Sequence, residues 1–262
     1  MESLPAIESW IDEKELLSVP TATYWNDIDI ERQKQFSDPE RLSEYLKESS
    51  LEATLGDAMA LSRRLGRPVH GTGIDLAAGA CWTAAIISRL PSVDCIYAVD
   101  ISCHRLRDLA PLICDSFGAV SSKGHRVLGS FYDIRLPDQI ADSCIMSQGF
   151  HHADEPTRLI AEIRRVLKPG APVLLTGETP VYATTLFAAR LKNLAKRVVP
   201  SSWYTTPPVG LWPSFEALYP ADTIGGDRVY RIHDYAHLFA AGFTLSSHRS
   251  RRYTAFVAVW SD

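Results

Sequence analysis

Two adjacent histidines and one glutamate are the side chains of this sequence best suited to proton transfer. His151 and His152 follow the apolar run 143–146, and a neutral imidazole can remove a proton from a hydroxyl or an amine near neutral pH. Glu178 follows another apolar run, 171–176, and is the second candidate, as a base or as an anchor for a hydroxyl. Structural roles are the alternatives, because paired histidines and single glutamates often only pack or face solvent. We rank His152 slightly ahead of His151 as the base.

A loop of small residues and a later aspartate indicate a nucleotide-like ligand. Asp75 ends a short apolar run, and the small residues 77–79 follow it, so that a ligand can approach the backbone and the N–H groups of a following helix. Asp100 comes 25 residues after Asp75, one strand–helix–strand unit away, where a carboxylate can bind the two hydroxyls of a ribose. Close packing of the loop and helix capping by Asp100 are the alternatives. The glycines at 71 and 73 precede their strand, which argues against a nicotinamide dinucleotide.

These residues lie at the ends of short apolar segments that alternate with helical ones. The predicted strands are 73–76, 95–99, 126–128, 143–146 and 171–176. Strands that are apolar on both faces and separated by helices predict an α/β fold with a mainly parallel sheet, whose ligands bind at the carboxyl ends of the strands. Two more apolar segments, 243–245 and 253–260, are joined by a short connection and predict an antiparallel C-terminal edge.

Composition excludes several function classes. The 262 residues carry 27 basic and 31 acidic side chains and a net charge of −4, so nucleic acid is not the expected partner. No run of about eighteen apolar residues occurs, which predicts that no segment spans a membrane. Five scattered cysteines lack metal-ligand spacing, so we expect reduced thiols, a cytoplasmic location and no metal. These are Cys81, Cys95, Cys103, Cys114 and Cys144.

In five ordered blocks, residues 70–180 resemble the class I S-adenosylmethionine (SAM)-dependent methyltransferases. The blocks are GIDLAAGACW, YAVDIS, GSFYDIRLP, ADSCIMSQGFHHADEP and LIAEIRRVLKPGAPVLLTGE. The resemblance implies a Rossmann-like sheet of seven strands, SAM as the cofactor and S-adenosylhomocysteine as its product. Two positions depart from the family pattern. The three glycines of the first loop read Ala77, Gly79 and Cys81, and Ser130 replaces the acidic residue that usually follows the glycine after the third strand.

The resemblance also implies which residues bind the cofactor, all of them at or just after strand ends. They are Asp75, Ala77, Gly79, Asp100, Ile101, Ser130, Phe131, Ser147 and Gln148. Asp100 would hold the ribose hydroxyls, with Ile101 against the adenine ring. His151 and His152 follow the fourth strand, where the acceptor of such enzymes meets the methyl group.

We expect the chain to consist of two regions. Residues 1–66 are predicted to form an N-terminal helical extension or lid, and residues 67–262 are predicted to form the methyltransferase domain. An insertion after the fifth strand, at about 179–232, breaks the alternation and is rich in proline and aromatic residues. We expect this insertion to act as a substrate cap.

Aromatic residues in these regions are the predicted substrate contacts. They are Tyr24, Trp25, Trp203, Tyr204 and Trp212. The basic amphipathic segment 186–199 is compatible with a membrane surface or RNA. The acidic net charge favours a solvated lid over the cavity instead.

The sequence therefore predicts an enzyme that moves a methyl group from SAM to an oxygen or nitrogen of a small-molecule acceptor, with a natural product as one option. The alternative is a SAM-binding protein of the same fold that does not methylate, acting as an electrostatic or pericyclic catalyst or as a regulatory partner. Methylation of RNA or protein is disfavoured, because no broad basic face and no asparagine–proline motif after the fourth strand are present. The oligomeric state stays open, with a homodimer as one option.

Overall fold

Eight strands form one mixed sheet in the computed structural model, which describes residues 5–19, 21–27, 39–222, 224–250 and 252–261. In chain order the strands are β1 (Glu8–Ser9), β2 (Gly71–Leu76), β3 (Val93–Asp100), β4 (Gly124–Leu128), β5 (Ser143–Ser147), β6 (Pro172–Glu178), β7 (Phe243–Arg249) and β8 (Thr254–Trp260). Their spatial order is β1-β4-β3-β2-β5-β6-β8-β7. All pairs are parallel except those of β8 with β6 and β7. The predicted α/β fold, with its antiparallel C-terminal edge, is confirmed.

The edge strand β1 is the difference from the predicted seven strands. It is only two residues long, and it pairs Glu8 with Val127 of β4. The N–H of Trp10 donates to the carbonyl of Leu128 at 2.8 Å, and the indole of Trp10 is buried beside Tyr97. The N-terminal segment is thus held to the sheet by contacts that could not be predicted from a local apolar pattern in the sequence.

Helices cover both faces of the sheet. They are α1 (Glu13–Ser18), α2 (Ala22–Asn26), α3 (Pro39–Glu48), α4 (Leu51–Arg64), α5 (Trp82–Ser88), α6 (Ala110–Ser116, entered through the π-helical turn Arg105–Leu109), α7 (Pro156–Val166), α8 (Ala183–Ala195), α9 (Phe215–Leu218) and α10 (Ile232–Phe239). Two apolar cores result, one containing Leu55, Ile87 and Ile113 and the other containing Ile163 and Phe239. Among the described residues, no helix is both long and apolar enough to cross a bilayer.

Helix α7 shows why such segments fold as they do. Pro156 occupies its first position, where the missing N–H costs nothing. Its buried side chains recur at helical spacing and face the second core: Leu159, Ile160, Ile163 and Val166. This amphipathic stripe requires a partner, and the sheet supplies it.

The insertion after β6 is closed at its base and folds back on its own helix. Val181 accepts from the N–H of Ile232 at 3.1 Å and donates to the carbonyl of Tyr230 at 2.8 Å. Within it, the buried side chain of Asn193 on α8 accepts from the N–H of Val209 at 2.8 Å and donates to the carbonyl of the same residue at 3.1 Å. The loop after α8 is therefore held against that helix.

Candidate functional site

A cavity of about 1030 Å³ lies at the carboxyl ends of strands β2 to β5. Its walls come from the turns after these strands, from N-terminal residues that include Trp10, Val19 and Trp25, from helix α3, and from Asp222 and residues 226–228 at the end of the insertion. Parallel α/β sheets bind their ligands at this edge. The volume exceeds that of ordinary ligand pockets, roughly 300–1,000 Å³, so it can hold a nucleotide-sized cofactor together with an acceptor.

The turn after β2 adopts left-handed backbone conformations at three positions. Ala77 and Gly79 both have φ of 53°, and Cys81 has φ of 62°. Such angles favour glycine, and each costs an L side chain of order 1 kcal/mol or more. Ala77 and Cys81 adopt these angles despite this cost. Ala77 and Gly79 line the cavity, whereas the Cys81 side chain is buried in the first core.

Asp75, a predicted cofactor contact, is not among the residues that line the cavity. Its carboxylate is fully buried, and Oδ2 accepts hydrogen bonds from the Thr83 hydroxyl and, at 3.1 Å, from the N–H of Ala84, while Oδ1 has no partner among the described residues. Burial raises the pKa of Asp75 to about 7, against the lowering effect of these hydrogen bonds. The residue holds the first turn of α5 against β2, because those N–H and hydroxyl groups are its nearest donors.

Asp100 connects two of the turns that line the cavity. One carboxylate oxygen accepts from the N–H of Gly79 at 2.7 Å, and the other accepts from the N–H of Ser102 at 2.8 Å. Each carboxylate oxygen can accept a second hydrogen bond. Asp100 lines the cavity, so it can hold the glycine-loop backbone and two ligand hydroxyls at once.

The remaining predicted cofactor residues also line this cavity: Ile101, Ser130, Phe131, Ser147 and Gln148. The hydroxyl oxygen of Ser147 is buried and has no hydrogen-bond partner among the described residues. The volume of the cavity and the position of Asp100 fit a cofactor such as SAM.

His151, in the cavity wall, pairs with the buried Glu178 behind it. The Nδ1 atom of His151 lies 3.2 Å from Glu178 Oε2, and the hydroxyl of Tyr235 donates to the same carboxylate oxygen at 2.7 Å. Burial opposes protonation of His151, but the charge and hydrogen bond of Glu178 outweigh burial and raise the pKa of His151 above its ordinary value. Burial also opposes ionisation of Glu178, yet His151 and Tyr235 lower the pKa of this carboxyl. His151 lines the cavity and Glu178 stands behind it.

His152 has a different environment from its neighbour. Its Nδ1 lies 2.9 Å from a carboxylate oxygen of Asp227, which belongs to the insertion and is 58% exposed. Its ring packs edge-on against Trp25, with centroids 5.0 Å apart. Ligand atoms of His151, His152 and Asp227 lie within 4.8 Å of one another, as a metal site would require. The sequence ranked His151 second, but its ring pairs with the buried Glu178, whereas the carboxylate beside His152 is exposed.

Helix α2 closes one side of the cavity. The Asn26 amide donates to the carbonyl of Ile101 at 3.0 Å and accepts from the N–H of Cys103 at 2.8 Å. The guanidinium carbon of Arg105 stands 4.8 Å from the Trp25 ring centroid. Trp25 lines the cavity, whereas Tyr24 contacts Trp25 from outside the lining. The structure thus brings one of the two predicted N-terminal aromatics to the site.

Three predicted substrate contacts of the insertion do not reach the cavity. Trp203 is 74% exposed and Trp212 is 52% exposed. Tyr204 lies under the ammonium group of Lys196 and Trp212 under the guanidinium of Arg190. The substrate-cap prediction therefore needs correction for these aromatics, because the loop packs on its own helix. The insertion contributes Asp222 and residues 226–228 instead.

Sequence reasoning missed three lining residues with evident chemistry: Arg105, Tyr132 and Asp227. Arg105 had a weak signal, since it lies five residues beyond Asp100 at the same sheet edge. Tyr132 lay inside a quoted block, and its hydroxyl donates to Asp154. Asp227 had no signal in the sequence, because contacts between distant parts of the chain bring its segment to the histidines, among them the hydrogen bond from the N–H of Arg228 to the carbonyl of His151 at 2.9 Å.

Replacing Ala77 with leucine is expected to abolish binding of SAM, the cofactor that the resemblance implies. Ala77 lines the cavity, and its Cβ already lies close to Gly149, where an added Cβ would stand 2.7 Å from it, so the larger leucine side chain would take up space in the cavity. Calorimetric titration with SAM measures the loss of binding. Ala80→Leu cannot replace Ala77→Leu in this test, because Ala80 belongs to the apolar core. A normal SAM affinity in Ala77→Leu, with unchanged circular dichroism, would contradict this placement.

Comparisons with known proteins agree with this architecture. Residues 74–175 match the family described as "Methyltransferase domain", and no curated protein shows significant sequence similarity to the chain. The fold is similar to that of a SAM-dependent methyltransferase from Aquifex aeolicus (18% identity, 85% of this chain and 98% of that chain, TM-score 0.55). It is also similar to an O-methyltransferase family protein from Burkholderia thailandensis (14%, 95% and 67%, TM-score 0.61). The CurJ carbon methyltransferase is a third similar structure (13%, 86% and 59%, TM-score 0.57).

Proposed function

We propose that this chain, which carries a methyltransferase domain with the class I SAM-dependent fold, methylates an oxygen or nitrogen atom of a small molecule. The observation that carries the proposal is the pair formed by His151 and Glu178. It presents a histidine, supported by a buried carboxylate, to the cavity that Asp100 also lines. Similarity in fold to an O-methyltransferase family protein supports oxygen as an acceptor atom.

The cofactor's part in this function is simple. When bound, SAM supplies a methyl group on a positively charged sulfur, which makes that carbon open to attack. Asp100 would hold the ribose hydroxyls, with Ile101 and Phe131 beside the adenine. Ala77 and Gly79 would leave room for the cofactor beside their backbone. Ser147 and Gln148, which line the same cavity, would lie on the sulfonium side of the cofactor.

His151 acts as the general base in this proposal. Its Nδ1 faces Glu178, so Nδ1 carries the hydrogen and the other ring nitrogen, Nε2, is free to take a proton from the acceptor's O–H or N–H. During methyl transfer, which would break the carbon–sulfur bond of SAM and leave S-adenosylhomocysteine, the acceptor's proton would move to Nε2. Glu178 stabilises the resulting positive ring, and Tyr235 holds Glu178 in place. The logic is that of a base oriented by a buried carboxylate.

In this proposal the described part of the N-terminal extension, residues 1–66, serves as a lid on the domain of residues 67–262. Trp25 stands between Arg105 and His152 and would exclude water from the acceptor side. A cytoplasmic location is part of the proposal and is supported by the free state of the five cysteine thiols.

The test is detection of cofactor and product. Mass spectrometry of the purified protein should find bound SAM or S-adenosylhomocysteine. A panel of hydroxyl- and amine-bearing small molecules should contain acceptors that yield one methylated product per S-adenosylhomocysteine formed. Tight SAM binding without any acceptor-dependent S-adenosylhomocysteine would instead favour the SAM-binding protein that does not methylate.

A further inference from the structure

The insertion exposes many large apolar side chains, several of which lie along one helix. Eight large hydrophobic side chains between residues 187 and 212 are exposed, and we call them the insertion patch. They are Phe187, Leu191, Leu194, Val198, Trp203, Val209, Leu211 and Trp212. The first four recur at helical spacing along α8 and the turn after it, and Trp212 packs on Phe187 with centroids 6.1 Å apart. Scattered exposed apolar residues are ordinary, but a contiguous patch marks an interaction site.

The same segment is basic, although the chain as a whole is acidic. Residues 179–215 contain four basic side chains and no aspartate or glutamate, whereas the whole chain has a net charge of −4. The four are Arg190, Lys192, Lys196 and Arg197. The insertion patch therefore combines exposed apolar groups with a local charge of +4.

These basic groups are not neutralised by carboxylates within the described parts of the chain. Arg190, Lys196 and Arg197 donate to the backbone carbonyls of the returning loop. A carbonyl accepts a hydrogen bond but leaves the positive charge in place. Lys192 is exposed on α8. The positive field of the patch is thus available to an anionic partner.

We propose that the insertion patch docks on an anionic lipid surface. Apolar and aromatic side chains beside lysine and arginine are the composition of segments that lie in the interface of a bilayer, and tryptophan is favoured at that depth. A twofold dimer through the patch would place the same four cations of two copies against each other. An RNA partner would leave the exposed leucine and valine side chains without apolar contacts. The cavity is lined by other parts of the insertion, so docking and methyl transfer can be tested separately.

Vesicle flotation tests the proposal. The protein should float with phosphatidylcholine vesicles that contain phosphatidylglycerol, should not float with pure phosphatidylcholine, and should dissociate at about 0.5 M NaCl, where charges are screened within a few ångströms. Each basic residue near such a surface contributes about 1 kcal/mol, or about fivefold. The variant Lys192→Glu with Arg197→Glu should therefore bind at least about 30-fold more weakly.

Matched variants keep the test decisive. Arg63→Glu with Arg64→Glu makes the same charge change on exposed residues of α4 and should leave vesicle binding unchanged. Leu191→Ser with Val198→Ser removes apolar tips without altering charge and should also weaken binding, and thermal unfolding checks that each variant folds. Failure of the unaltered protein to bind anionic vesicles would overturn the proposal. So would a dimer that the patch variants dissociate, or equal binding by the charge-reversed and control variants. Binding to single-stranded RNA without vesicle binding would likewise overturn it.

Discussion

His151→Ala is expected to lower kcat by about 10²–10⁴-fold while leaving SAM affinity unchanged. That factor is the usual contribution of one positioned general base. The ring is held by Glu178 at 3.2 Å and opens on the cavity, so its loss removes the proton acceptor without touching the residues placed around the cofactor. Single-turnover rates and calorimetry with SAM measure the two quantities separately.

His152→Ala is the matched control for this prediction. It removes the adjacent ring, whose partner is the exposed Asp227, and should cost far less in kcat. A loss confined to KM in His151→Ala would make His151 a substrate anchor rather than a base. Equal kcat values in His151→Ala and the unaltered enzyme would eliminate the general-base mechanism and leave alignment of the reactants alone.

The dependence of activity on pH tests the role of His151 independently. Only the neutral ring can accept a proton. Burial lowers the pKa of His151, but the charge of Glu178 outweighs burial and raises this pKa above its ordinary value. Activity should therefore be full above this raised pKa and fall as pH decreases through it. Glu178→Gln removes the charge that raises the pKa, so the acidic limb should move to lower pH while kcat falls. An acidic limb that stays in place in Glu178→Gln would contradict the pairing.

Asp100→Ala is expected to weaken SAM binding by about 10–150-fold, because a charge-assisted contact to two hydroxyls contributes about 1.5–3 kcal/mol. The carboxylate also accepts from the N–H groups of Gly79 and Ser102, so the glycine loop should become less ordered as well. Calorimetric titration with SAM provides the affinity, and hydrogen exchange of the Gly79 amide provides the order of the loop.

Asp94→Ala is the control for Asp100, because Asp94 is exposed on the same strand, β3. It should bind SAM as the unaltered protein does. Asp100→Asn keeps hydrogen-bonding groups and removes the charge, so an intermediate affinity is expected. If Asp100→Ala binds SAM normally, the cofactor site has been placed on the wrong strand end.

The sequence alone determined the strand–helix alternation and therefore the sheet. Segments such as 95–99 and 171–176 are apolar throughout, and this is possible only for strands covered on both faces. The antiparallel edge of β7 and β8 followed from two strands separated by a short connection. The positions of Asp100 and of residues 147 and 148 after their strands then followed, because parallel strands end at one edge of the sheet.

The tertiary structure decided which side chains meet. Asp75 and Asp100 have the same residue type at similar strand ends, yet Asp75 is turned to the donors of α5 while Asp100 faces the cavity. Glu178 reaches His151 because β5 and β6 are neighbours in the sheet, a pairing that sequence separation cannot reveal. The aromatics of the insertion turned outward because Asn193 holds their loop against α8. Local patterns specify which face of a helix or strand is buried. Which side chain meets which depends on the packing of residues that are far apart in the chain.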